Sequence, residues 1–196
     1  MADAWLSETG RQPIGSGRLV LVVGPSGAGK DSVIAGIRAD FERRNRDDLV
    51  FPTRIVTRSA HAAEANASIS IQEFETGQAS GAFSLSWHAH GLAYAIPIDI
   101  DADIRAGRTV VINASRAVVA MARERYAHVT VMLIDAPVAV RAERLAARGR
   151  ETRADIEARL TRAVSAFDPD DADITINNSG SLDDAVNSAL SHLNAT

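Results

Sequence analysis

The sequence predicts an α/β fold, a parallel sheet core with helices on both faces, and three observations predict it. Short apolar runs of the kind buried on both faces of a parallel sheet recur at residues 18–23, 109–112 and 129–134. A stretch with apolar residues at helical spacing follows each of them. A glycine-rich turn, residues 24–29, joins the first run to its helix.

In chain order, residues 1–17 mix Gly, Ser, Pro and charges without periodicity and are expected to form a flexible tail. The run RLVLVV at 18–23 is the first buried strand, and Val33, Ile34, Ile37 and Phe41 mark the helix after the turn. Residues 51–57, 83–87 and 93–96 read as short strands and 72–78 as a short helix. The region 51–97 lacks a long β/α rhythm, so it reads as an insertion beside the main sheet. A short helix ending at Gly107 precedes the strand 109–112, and a helix over 116–126 leads into the strand 129–134. Helices are expected at 137–148 and 153–167, on either side of Gly149. A short strand at 174–176 and a helix at 181–193, with Leu182, Val186 and Leu190 on one face, close the chain. Residues 18–196 are expected to make one domain, and no internal repeat is present.

Composition narrows the classes of function. The 196 residues are 46% hydrophobic and 23% charged, an ordinary globular balance. A formal net charge of −4 argues against a broad nucleic-acid or membrane-binding surface. The absence of cysteine excludes a disulfide scaffold and a thiolate metal site. No signal-peptide pattern opens the chain, and no apolar run approaches the roughly 18 residues that span a bilayer. A cytoplasmic protein is therefore expected. Arginine supplies 20 of the 21 basic residues; Lys30 is the only lysine, and it falls in the glycine-rich turn.

Gly24, Pro25, Ser26, Gly27, Ala28, Gly29 and Lys30 match G-x-x-x-x-G-K, between a strand and a helix as the phosphate-binding loop requires. Its glycines let backbone N–H groups converge on an anion, the helix aims its positive end at the phosphates, and Lys30 reaches the β- and γ-phosphates. After the lysine the pattern usually has Ser or Thr, whose hydroxyl binds Mg²⁺. Here Asp31 stands there, followed by Ser32. Asp31 either caps the helix or serves the Mg²⁺ site, directly or through water. The strand 109–113 ends on the neutral Asn113, where related enzymes often carry an acidic group, so Asp31 is expected to supply the missing charge.

Arg141, Arg144 and Arg148 are spaced to share one helix face, and Arg159 and Arg162 return on the next helix. This stretch, 141–162, is expected to be an arginine-rich lid that closes over a nucleotide and neutralises the transferring phosphoryl group.

The loop GPSGAGKDS, the Thr57-Arg58 pair, SWHAHGLAYAIP and LAARGRETRADIEARL resemble the guanylate-kinase group, from about residue 18 to the last helix. Within that group, GPSGAGKDS, IVTR, SWHAHG and INASRA look most like the ribose 1,5-bisphosphate phosphokinase family. That resemblance implies a guanylate-kinase-like P-loop fold that uses ATP and Mg²⁺ and converts ribose 1,5-bisphosphate to 5-phosphoribosyl 1-diphosphate in phosphonate utilisation. It also implies Arg58 and Tyr94 at the acceptor's phosphate, Arg148 near the adenine and lid contacts, and Arg144 and Arg159 at the ATP phosphates. The loop 24–32 would hold the ATP phosphates, with Lys30, Arg144, Arg148 and Arg159 as the catalytic cations.

Guanylate kinases read their base with two carboxylates, and those positions fall here on Leu85 and Ser115. Sites built to hydrogen-bond a substrate group discriminate by about 10⁴ to 10⁵, so their loss changes specificity. The second acceptor-phosphate arginine is also missing, since residues 59–63 offer only His61. Arg116, His88 and His90 are candidates for the second phosphate and the sugar hydroxyls, and Glu64 for a hydroxyl. Trp87 is expected in the core, and Asn177 and Asn178 on an adenine-side loop. A phosphate acceptor is already ionised, so no general base is needed. The competing readings are a nucleoside monophosphate kinase with altered base choice and a non-catalytic binding module that should carry a damaged loop. A GTPase is disfavoured, because its N-K-x-D motif needs a second lysine. Small-molecule substrates are the expected partners, and a homodimer is compatible with the sequence.

Overall fold

The computed structural model describes residues 12–57, 67–89, 91–147 and 171–194. Five strands make a parallel sheet: β1 (Arg18–Val23), β2 (Leu49–Val50), β7 (Thr109–Asn113), β8 (Val129–Asp135) and β9 (Ile174–Asn177), in the order β2-β7-β1-β8-β9. The central strand, β1, explains the layering. Its alternate side chains Leu19, Leu21 and Val23 enter one core cluster, while Val20 and Val22 enter another. Helices α1 (Lys30–Arg43) and α6 (Leu182–Asn194) cover the second face. Helices α3 (Ile100–Arg105) and α4 (Val119–Arg125) cover the first. Helix α5 (Val138–Ala147) leaves the C-terminal end of β8.

The insertion is a second sheet, in the order β4-β3-β6-β5: β3 (Ile55–Thr57), β4 (Ala67–Ile69), β5 (Phe83–Ala89) and β6 (Leu92–Pro97). Val56, Leu85, Trp87, Tyr94 and Ile96 of this sheet belong to the same buried cluster as Leu19, Leu21 and Val23. On its other face, Phe74 of α2 (Ile71–Ala79) packs with Ala93 and Ala95. A capping box opens α2: the Ser70 hydroxyl accepts from the Glu73 N–H, and Glu73 accepts from the Ser70 N–H at 2.7 Å.

Two expectations are corrected, and one strand was not foreseen. The strand expected at 51–57 shrinks to β3 at its end, residues 51–54 carry no strand, and β2 lies just before them in the other sheet. Pro52 has no N–H to give a ladder and interrupts the run. Strand β4, short and largely exposed, carries no apolar alternation to announce it. The helix expected over 116–126 starts as a 3₁₀ turn (Arg116–Val118), capped by the Ser115 hydroxyl, which accepts from the Ala117 N–H at 3.3 Å. The expected helix at 153–167 lies outside the described residues.

Beneath the first face, the Asp101 carboxylate accepts from the Tyr126 hydroxyl at 2.6 Å and from Arg125 at 2.5 Å, tying α3 to α4. Burial and that hydrogen bond push the Tyr126 phenol up to about 12. No helix among the described residues is long and apolar enough to cross a membrane.

Candidate active site

The loop that joins β1 to α1 can be glycine-rich only because the chain passes too close to its neighbours for side chains. Gly24 has φ 146°, and a Cβ there would collide with the Ile134 carbonyl oxygen of β8. Gly29, with φ 91°, caps α1 without a side-chain acceptor, and a Cβ there would strike the Asn178 amide. The first-turn N–H groups of α1 are thus left facing the loop, where the helix favours an anion. The Lys30 ammonium donates to the carbonyls of Gly24 at 2.8 Å and Pro25 at 3.2 Å, which folds it over the loop.

Asp31 lies in the first turn of α1, whose N-cap residue, Gly29, makes no side-chain hydrogen bond. Its Oδ1 accepts from Asn113 Nδ2 at 2.5 Å, across from the end of β7. The two residues singled out for the metal question therefore meet. Among the described residues no group of three or more His, Asp or Glu could form a protein cage for a metal. Mg²⁺ seldom needs one, being held by one or two carboxylates together with substrate phosphates. A lone carboxylate beside the phosphate loop fits that pattern.

Helix α5 brings two of its arginines to the loop. Arg141 is 5% exposed, lies against Gly27 and donates from Nε to the Ala136 carbonyl at 3.0 Å. Arg144 Nη1 comes near Gly29. Nη1 of Arg141 and Nη1 of Arg144 are both buried without a hydrogen-bond partner. Buried cationic donors left unpaired are costly, so their place is beside an anion. Asn178, 2% exposed, donates to the Ala28 carbonyl at 2.7 Å and so braces the loop. The bracing roles of Arg141 and Asn178 carry no motif and were not legible in the sequence. Arg58, His61, Glu64, His90, Arg148, Arg159 and Arg162 lie outside the described residues.

A cleft of about 420 Å³ runs from Asp31 and Asn113 along α1 to Phe51 and Arg54. Tyr94 lies buried beside it, stacked on Trp87 at 5.4 Å between ring centroids. Trp87 is core, as expected. Arg116, half-buried at the start of the 3₁₀ turn, is pushed below its ordinary range by loss of water. His88 is not brought to this cleft. It sits on the other face of β5 from Trp87 and packs edge-on against Phe74 at 5.7 Å. Leu85 is 1% exposed in the core, and Ser115 is engaged in its own turn. Arg54, beside Tyr94, escaped the sequence reading; its only signal there was a cation four residues before Arg58.

Among solved structures, the fold is similar to a guanylate kinase from Anaplasma phagocytophilum, with TM-score 0.66 and 16% identity over 91% of this chain and 85% of that one. It is also similar to a sugar kinase from Janibacter, with TM-score 0.52 and 20% identity over 91% and 95%. With the phosphate loop in place, this is the P-loop α/β fold in its guanylate-kinase-like form. No protein-family model matches the chain. Curated relatives are more specific. Ribose 1,5-bisphosphate phosphokinase PhnN of Bradyrhizobium diazoefficiens is 51% identical over 170 residues, 87% of this chain and 84% of that protein. Its counterpart from Rhodopseudomonas palustris is 48% identical over 92% and 90%. The chain belongs to the ribose 1,5-bisphosphate phosphokinase family, and it is a kinase.

Proposed function

We propose that this chain transfers the terminal phosphoryl group of ATP to the 1-phosphate of ribose 1,5-bisphosphate, giving 5-phospho-α-D-ribose 1-diphosphate and ADP. Kinship carries the reading: relatives 44–51% identical over most of the chain bear that activity in their names. The site supports it chemically. An oxygen of the 1-phosphate, already ionised, forms the new P–O bond, and the bond from the γ-phosphorus to the β–γ bridging oxygen breaks. No proton has to be removed from the acceptor. Catalysis is then positioning and charge neutralisation by Lys30, Arg144, Arg148 and Arg159. The loop 24–32 holds the ATP phosphates, and Asp31 would hold Mg²⁺, which would supply further charge neutralisation to the phosphates. Arg58, Tyr94 and Arg116 hold the acceptor. His88, turned away against Phe74, is left out.

Neither Leu85 nor Ser115 offers a carboxylate to a guanine, which favours a sugar phosphate over a nucleotide. The test is ADP release with ATP and Mg²⁺, comparing ribose 1,5-bisphosphate with GMP, AMP and no acceptor. Turnover with the sugar bisphosphate should exceed that with GMP by orders of magnitude. Preference for GMP would overturn the proposal.

A further inference from the structure

The acceptor cleft contains a cation that this mechanism does not use. Arg54 lines the cleft, and its Nε is buried without a hydrogen-bond partner. Its guanidinium lies over the Tyr94 ring, 5.1 Å from the centroid, and Tyr94 is itself fixed by stacking on Trp87. A planar cation held on an aromatic platform is already ordered, so it loses little freedom when a ligand arrives. The carboxylates that line the same cleft, Asp31 and Glu42, form no ion pair with it. Arg38 faces the cleft from α1, over Phe51 at 5.0 Å and donating to the Phe51 carbonyl at 3.4 Å. The far end of the cleft is Asp31 and Asn113, beside the phosphate loop.

A cleft that runs from the reaction centre to a buried, unpartnered donor suits an acceptor with charge at both ends. We propose that Arg54, assisted by Arg38, binds the acceptor phosphate that does not react. This rests on the proposed function, in which the 1-phosphate attacks, so the group at Arg54 is the 5-phosphate. A phosphate is a planar fork's preferred partner, because two parallel N–H donors can meet two of its oxygens. Arg54 then selects for the second phosphate, a choice left open by the loop and lid, which are assigned to ATP.

Two sugar monophosphates separate the ends of the cleft. Ribose 5-phosphate carries only the group assigned to Arg54, and ribose 1-phosphate only the reacting one. Each is titrated as an inhibitor of ADP release from ATP and ribose 1,5-bisphosphate, with wild type, Arg54→Met and Arg54→Lys. Arg54→Met should weaken ribose 5-phosphate and raise the KM for the bisphosphate roughly 10- to 100-fold. The inhibition constant of ribose 1-phosphate should stay within about twofold, and Arg54→Lys should fall between. Equal weakening of both monophosphates would make Arg54 a support for Tyr94 and overturn the assignment. So would unchanged inhibition by ribose 5-phosphate, or its failure to bind wild type. Absence of wild-type turnover on the bisphosphate would overturn the functional proposal and this subsite with it, an outcome visible before any variant is made.

Discussion

Asp31 and Asn113 explain each other. The lysine of the phosphate loop is followed here by a carboxylate, and the neighbouring strand ends in an amide that donates to it at 2.5 Å. A carboxylate at both positions would set two like charges within hydrogen-bonding distance, and one would take up a proton. With the amide, the pair carries one carboxylate instead of two. If Asp31 holds Mg²⁺, Asp31→Asn should raise the Mg²⁺ concentration needed for half-maximal turnover by roughly 10- to 100-fold. Binding of metal-free ATP, measured by calorimetry, should barely change. An unaltered Mg²⁺ titration would remove Asp31 from the metal site and leave it as a partner of Asn113 alone. The sequence disclosed both residues, because each departs from a familiar pattern. It could not disclose that they touch, since they are 82 positions apart and meet only through the sheet.

Among the elements, α1 carries a flaw that packing explains. Gly36 lies inside the helix, where glycine costs about 0.5–1 kcal/mol relative to alanine. A Cβ there would collide with Val186 Cγ2 of α6. The glycine lets the two helices that cover one face of the sheet approach each other. Gly36→Ala should therefore destabilise the protein by about 1–3 kcal/mol rather than stabilise it, read from urea unfolding midpoints. Adding Val186→Ala should recover part of the loss, although Val186→Ala alone also destabilises. A more stable Gly36→Ala would show that α6 yields freely. Runs such as 18–23 and 129–134 revealed their strands because a largely apolar stretch suits little else of that length. Strand β4 escaped because it is an exposed, three-residue edge, held by pairing with β3 rather than by any pattern of its own.

For the molecule as a whole, the informative fact is which core the inserted sheet shares. Its pattern of short strands suggested a region beside the main sheet, and the fold does form a second sheet there. Yet Leu85, Trp87, Tyr94 and Ile96 pack in one cluster with Leu19, Leu21, Val110 and Val131 of the main sheet. The inserted sheet and the main sheet are thus built on common hydrophobic ground, which holds the cleft between Asp31 and Arg54 in register with the phosphate loop. Shared burial also couples their unfolding. Leu85→Ala, though in the insertion, should lower the stability of the entire chain by about 2–5 kcal/mol. In a Trp5→Phe background the fluorescence of Trp87 reports the small sheet, while far-ultraviolet circular dichroism reports all the helices. The two signals should trace one urea transition at one midpoint, in the parent and in Leu85→Ala alike. If fluorescence were lost at a lower urea concentration than ellipticity, the inserted sheet would be a separate unit resting on the main sheet, and the fixed spacing between the two ends of the acceptor cleft would lose its foundation.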